Sequence, residues 1–209
     1  ESFSKENNKR VIIMPGYIAR DNFGNDVTLG RGGSDYTASI IASISGASKL
    51  DIWTDVSGMF TANPTIVKQA ISIDSLSYQE AMELSHFGAK VIFPPTIQPA
   101  MNKNIPITIK NSFKPNDKGT EISNKNNSRF NVVKGISHVQ GISLLTLEGS
   151  GMIGSPGYSK KLFEILSINN INIIMITQAS SEHSICIGVN GEECDRAKKI
   201  IDNEFNNEI

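Results

Sequence analysis

From Lys114 to Asn131 the composition changes to Lys, Asn, Asp and Ser, with almost nothing apolar. Such a stretch cannot bury enough surface to fold by itself. It separates two parts that each carry apolar periodicity. The expected organisation is therefore a first domain over residues 1–113, a linker over 114–131 and a second domain over 132–209. With 209 residues, 39% hydrophobic and 20% charged, the chain is long and apolar enough to supply both cores.

In the first part, short apolar runs alternate with amphipathic ones. Val11 to Met14 reads as a strand stopped by Pro15-Gly16, and Tyr36 to Ala47 spaces its apolar residues as a helix ending near Gly46. Leu50 to Trp53 reads as a strand, with Trp53 packed in the sheet. Tyr78 to Phe87 and Pro95 to Asn102 read as helices, and Ile105 to Ile109 as a further strand. Alternation of this kind predicts an α/β fold with a mostly parallel sheet, whose ligands gather beyond the carboxyl ends of the strands. After the polar tract, Ser143–Leu147, Ser159–Ser167, Ile171–Thr177, Ser184–Val189 and Glu192–Phe205 read β-α-β-β-α. That is a ferredoxin-like unit without its last strand, and it leaves a sheet edge unpaired.

A net charge of -1 and a pI near 6.4 give no reason to expect nucleic acid or an anionic membrane as a partner. No apolar run is long enough for a membrane span, and no secretory signal pattern opens the chain. A cytoplasmic protein is expected, with Cys186 and Cys194 both reduced. The chain begins with Glu1 rather than Met, which suggests a segment of something longer.

Chemistry concentrates in Thr28-Leu29-Gly30-Arg31-Gly32-Gly33-Ser34-Asp35-Tyr36, directly before the first helical run. Glycines let backbone N–H groups approach an anion, a helix start presents N–H groups without acceptors, and an arginine can grip a carboxylate through two parallel hydrogen bonds. The blander reading makes Arg31 a surface residue and Ser34 or Asp35 a helix cap. Elsewhere, Glu80 and Glu83 read as one solvated helix face. His86, His138 and His183 lack the companions of a metal site or a triad, so no metal site is expected within the protein. The stripe Leu162, Ile165, Leu166 reads as the core face of a helix.

Five segments taken in order resemble the second half of the catalytic domain of the aspartate kinase family. They are Leu29-Gly-Arg-Gly-Gly-Ser-Asp-Tyr, Ile52-Trp-Thr-Asp-Val, Ser77-Tyr-Gln-Glu-Ala-Met-Glu-Leu, Phe87-Gly-Ala-Lys-Val and Ile109-Lys-Asn. Val133-Lys-Gly-Ile-Ser and Ile176-Thr-Gln-Ala-Ser-Ser-Glu-His-Ser resemble the first regulatory ACT domain of its threonine-sensitive members fused to homoserine dehydrogenase. The resemblance implies part of an amino-acid-kinase three-layer sandwich followed by an ACT domain. It also implies phosphoryl transfer from ATP, with Mg2+, to the side-chain carboxylate of L-aspartate, giving 4-phospho-L-aspartate for lysine, threonine and methionine synthesis. By resemblance Arg31 binds aspartate, helped by Gly32, Gly33 and Ser34, and Asp35 orients the substrate. Thr54, Asp55, Phe60 and Lys90 take the positions that meet ATP.

Some positions depart from the family. Phe60 replaces a tyrosine, Asn63-Pro64-Thr65 replaces Asp-Pro-Arg, and Phe93-Pro94 replaces His-Pro. Each lost charge-assisted hydrogen bond is worth on the order of 1.5 to 3 kcal/mol, so either the nucleotide pocket has drifted to weaker affinity or other groups compensate. The family's lysine-glycine phosphate motif lies upstream of the segments found here, and the isolated 209 residues are expected to lack kinase activity.

For the ACT domain, the loop Gly149 to Gly157 is expected to hold an effector's carboxylate on backbone N–H groups, with Met152, Ser155, Asn172, Ile173 and Gln178 as effector contacts. Lysine-sensitive relatives carry an acidic residue on the second strand, where Asn172-Ile173-Ile174 supplies no charge, so threonine is expected over lysine. In the family, Val132 to Ile136 forms a strand of a second ACT domain, and ACT units pair into homo-oligomers. Two alternatives stay open: a non-catalytic amino-acid-binding module, and another amino-acid kinase acting on glutamate or UMP.

Overall fold

The computed structural model describes residues 11–88, 91–124, 133–178 and 183–206. It divides into two compact units, Glu1–His138 and Val139–Ile209.

The first unit opens with a short antiparallel hairpin, β1 (Ile18–Arg20) and β2 (Asp26–Thr28). Asp21 makes its turn, accepting the N–H groups of Phe23 and Asn25 at 2.9 Å each. Helix α1 (Gly33–Ser45) follows and ends at Gly46, whose φ of 64° lets its N–H cap back onto the Ala42 carbonyl. Next come β3 (Leu50–Thr54), β4 (Ser75–Leu76) and α2 (Tyr78–His86). The last begins with a capping box in which Ser77 and Glu80 accept each other's backbone N–H. Helix α3 (Pro94–Asn102), β5 (Ile107–Asn111) and β6 (Thr120–Ile122) complete the unit.

Its sheet runs β3-β5-β6-β4. β3 lies parallel to β5 from Leu50↔Ile107 to Thr54↔Asn111, while β5 and β6 are antiparallel, so the sheet is mixed rather than wholly parallel. Leu50, Ile52, Ile107, Ile109 and Ile122 join Ala42, Leu76, Tyr78, Ala81, Ile97 and Ala100 in one core. Because side chains alternate along a strand, Trp53 points away from that core. It is 49% exposed, with the Lys110 ammonium 5.3 Å from its ring, and is not packed as expected.

Two further expectations need correction. Val11 to Met14 forms no strand: Val11 is 90% and Ile13 92% exposed, and no described strand lies beside them to take their backbone hydrogen bonds. The hairpin that does form was illegible because its strands are short and exposed, and held by a side-chain turn. Nor is 114–131 wholly a linker. Thr120 and Ile122 are fully buried as parts of β6, between β5 and β4, because the sheet supplies a burial site that composition alone does not show. Residues 125–131 lie outside the described part.

Residues 133–138 carry no regular structure and pack within the first unit. The Ile136 N–H donates to the Thr61 carbonyl at 2.9 Å, and the Lys134 ammonium lies 2.9 Å from Glu80. The strand expected at Val132 to Ile136 is therefore absent among its described residues, Val133 to Ile136. The Ile136 N–H bonds to a loop of the first unit instead of a sheet.

The second unit contains β7 (Ile142–Glu148), α4 (Tyr158–Ile168), β8 (Ile173–Gln178), β9 (Ser184–Asn190) and α5 (Cys194–Phe205). Its antiparallel sheet has the order β7-β9-β8, the β-α-β-β-α reading of the sequence. Leu147, Leu162, Leu166, Ile185, Ile187, Val189, Ala197, Ile201 and Phe205 form its core.

Candidate functional sites

The glycine-rich loop enters α1 through backbone that only glycine adopts readily. Gly30 and Gly32 both have φ of 72°, and Gly32 is the helix N-cap. A Cβ on Gly32 would stand 2.3 Å from Cβ of Phe93, the N-cap of α3. The loop thus presses directly against the start of another helix. Ser34 and Asp35 lie inside the first turn of α1 and provide no side-chain cap, so the helix-cap reading does not apply to them. Arg31 is exposed and Asp35 half-buried. Burial pushes the Asp35 carboxyl above the usual carboxylate range. Among the described residues neither Arg31 nor Asp35 has a side-chain hydrogen bond or ion pair.

Thr54 and Asp55 sit at the carboxyl end of β3, where the Thr54 hydroxyl donates to Asp55 at 3.1 Å. Phe60, half-buried, bridges backbone to backbone with Ser72. Lys90 lies outside the described residues. Between Phe60 and Ser72 the loop closes on itself: Asn63 accepts the N–H of Thr65 at 3.0 Å and its hydroxyl at 2.8 Å.

Sequence reading missed a polar network at the carboxyl ends of β3 and β5. The buried Asn111 amide donates to the Ser57 hydroxyl at 2.9 Å, and that hydroxyl donates to Asp117 at 2.6 Å. The Ser72 hydroxyl donates to the Ser57 carbonyl at 2.7 Å. Nearby, the fully buried Thr120 hydroxyl donates to the Ile73 carbonyl at 2.6 Å and accepts the Met59 N–H at 2.8 Å. The available signal was an asparagine ending a buried strand, where its amide must find partners.

Among the other polar candidates, Glu80 serves the capping box. Burial raises its carboxyl, but hydrogen bonds from Ser77 and Lys134 outweigh that and hold it below the usual range. Cys186 and Cys194 are free thiols. Among the described residues no group of three His, Cys, Asp or Glu side chains is placed to hold a metal ion. No described helix is long and apolar enough to cross a membrane.

In the second unit a hollow of about 510 Å³ lies beside the start of α4. Met152, Ser155 and Gln178 line it together with Tyr158 and Ser159. Gly154 and Gly157 turn the loop there with φ of 69° and 112°. Asn172 and Ile173 are elsewhere: they lie at the start of β8, whose far end is Gln178, and Ile173 packs against the core.

Residues 3–111 match the Amino acid kinase family and residues 145–205 the ACT domain. The chain belongs to the amino acid kinase family, with an ACT domain after the kinase part. Among sequences, it is similar to the bifunctional aspartokinase/homoserine dehydrogenase of Haemophilus influenzae, with 42% identity over 200 residues covering 96% of this chain and 24% of that protein. Among structures, it resembles Escherichia coli aspartokinase III in complex with lysine and aspartate, at TM-score 0.64 and 37% identity, covering 84% of this chain and 39% of that one. The same enzyme with aspartate and ADP superposes at TM-score 0.55 and 26% identity, covering 90% and 59%. The chain thus spans about a quarter of the length of the bifunctional relative.

Proposed function

We propose that the polypeptide carrying this chain is an aspartate kinase, moving the terminal phosphoryl group of ATP to the side-chain carboxylate of L-aspartate. One observation carries the reading: at the opening of α1, a guanidinium and a half-buried carboxylate have no side-chain hydrogen bond or ion pair among the described residues. The half-buried carboxylate is costly to leave uncommitted unless a ligand takes it up, and the exposed guanidinium beside it is available to a second anionic group. Arg31 takes a carboxylate of aspartate, with Gly32 and Ser34 presenting helix-opening N–H groups and Gly33, whose own N–H is held by the Gly30 carbonyl at 3.1 Å, shaping the turn between them. Asp35 orients the substrate.

Bringing a carboxylate to a triphosphate demands neutralisation of charge, and catalysis is then mainly positioning. Thr54, Asp55, Phe60 and Lys90 meet the nucleotide. Mg2+ fits as a companion of the nucleotide, because it binds mainly through phosphates with one or two carboxylates, and Asp55 is the exposed carboxylate at the strand end. These 209 residues alone, spanning less than half of either relative's length in sequence, are proposed to lack the activity. A coupled assay of aspartate-dependent ADP release settles both points. The full-length protein should turn over and the 209-residue piece should not; a silent full-length protein overturns the reading.

The effector is proposed to be threonine. The hollow beside α4 is lined by Ser155, Tyr158, Ser159 and Gln178, polar groups suited to a small hydroxylated amino acid, and among the described residues no carboxylate lines it to receive a lysine ammonium. Calorimetric titration of the full-length protein should show threonine binding; strong lysine binding without a threonine response overturns this. The open edges β7 and β8 favour homo-oligomers through the ACT unit. Fusion to homoserine dehydrogenase is proposed on the relative alone.

The second reading, a non-catalytic amino-acid-binding module, draws on Asn63 and Thr65, whose side chains bond to each other. Failure of the full-length protein to bind ADP, with threonine binding intact, would favour it.

A further inference from the structure

The Asn111–Ser57–Asp117 chain, which runs from a buried amide to an exposed carboxylate, has no part in the site described so far, yet it stands where a nucleotide site in this sheet would be shaped. Thr54 and Asn111 are register partners at the carboxyl ends of the parallel strands β3 and β5. The Ser112 N–H then donates to the Thr54 carbonyl at 2.8 Å, which ties the two outgoing loops together. Beyond that point side chains link them: Asn111 Nδ2 reaches Ser57 Oγ at 2.9 Å, and Asn111 Oδ1 accepts the Phe113 N–H at 2.9 Å. Ser57 lies between Asp55 and Phe60, and its hydroxyl and carbonyl are both engaged, by Asp117 and Ser72.

We propose that Asn111 is a positioning residue of the nucleotide site, holding the Asp55–Phe60 loop in its ligand-ready shape through Ser57. The inference rests on the nucleotide reading above and deepens it. The polarity of the chain is what makes it specific. Asp117, an acceptor only, takes the Ser57 proton, so Ser57 Oγ must receive its other hydrogen bond from a donor, and the buried Asn111 amide supplies one. A carboxylate in the same place has no proton to offer, although it keeps the volume and the acceptor for Phe113.

The test uses the full-length polypeptide carrying this sequence and titration with MgADP. Asn111→Asp and Ser57→Ala should each weaken MgADP about fivefold, the worth of one ordinary hydrogen bond, and Ser57→Thr, which keeps the hydroxyl, should bind as the parent does. The KM for L-aspartate should stay within about twofold, since Arg31 and its loop are untouched. MgADP binding by Asn111→Asp equal to the parent's overturns the proposal. So does an equal loss of MgADP and aspartate affinity, which would mark a merely structural role. An unsubstituted protein that binds no MgADP overturns the nucleotide reading, and this proposal with it.

Discussion

Asn63 and Thr65 are bound to each other twice, through the Thr65 N–H at 3.0 Å and the Thr65 hydroxyl at 2.8 Å, both received by Asn63 Oδ1. The Asn63 carbonyl further accepts the N–H groups of Ile66 and Val67. The turn therefore satisfies itself with neutral groups and presents no cation. Thr65→Arg is expected to tighten MgADP binding to the full-length protein about tenfold, the value of one charge-assisted hydrogen bond. Calorimetry with the substituted and parent proteins is the check; unchanged or weaker binding would place this turn away from the phosphates.

Arg31→Lys keeps the charge and removes the two-pronged geometry. The expected outcome is a KM for L-aspartate raised at least about tenfold with the KM for ATP within about twofold. Steady-state kinetics with each substrate varied in turn would show it. A rise confined to ATP would reassign the glycine-rich loop to the nucleotide.

Asp35 carries a stability cost with a definite sign. Burial raises its folded-state pKa, so the native state binds the proton more tightly than the unfolded chain does. Its contribution is therefore most favourable below the unfolded pKa and is lost as pH rises through the folded one. Asp35→Asn is expected to raise the thermal midpoint at neutral pH, with the gain vanishing in acid, while kinase activity falls. Melting curves across pH test this, and a neutral-pH midpoint lowered by the substitution would contradict it.

Ser39 on α1 and Thr96 on α3 are fully buried, and their hydroxyls have no hydrogen-bond partner among the described residues. Leaving a buried hydroxyl unmade costs about 1 to 3 kcal/mol. Ser39→Ala and Thr96→Val are thus expected to be neutral or to stabilise the full-length protein by up to about 1 kcal/mol. Chemical denaturation measures it; a loss above about 1 kcal/mol in either variant would mean that the hydroxyl has a partner.

Part of the local structure around the candidate sites was readable from residue order. Gly32 belongs at the start of α1 because φ of 72° and a 2.3 Å approach to Phe93 exclude any Cβ, and the glycine pattern announced such a turn. Met152, Ser155 and Gln178 do line one hollow, because the loop into α4 folds back locally. Asn172 and Ile173 do not join them: nearness in sequence to a strand says nothing of which end of it a ligand meets.

By itself the sequence determined the helices, the longer strands and the β-α-β-β-α order of the second unit, because apolar periodicity is a local property that burial selects at each element. Tertiary structure alone decided that Thr120 and Ile122 become a central strand, that Trp53 turns outward, and that Asn111 clasps Ser57. These outcomes depend on partners far along the chain. A polar or aromatic side chain is placed by whichever surface offers to satisfy or cover it, and that surface exists only once the sheet has assembled.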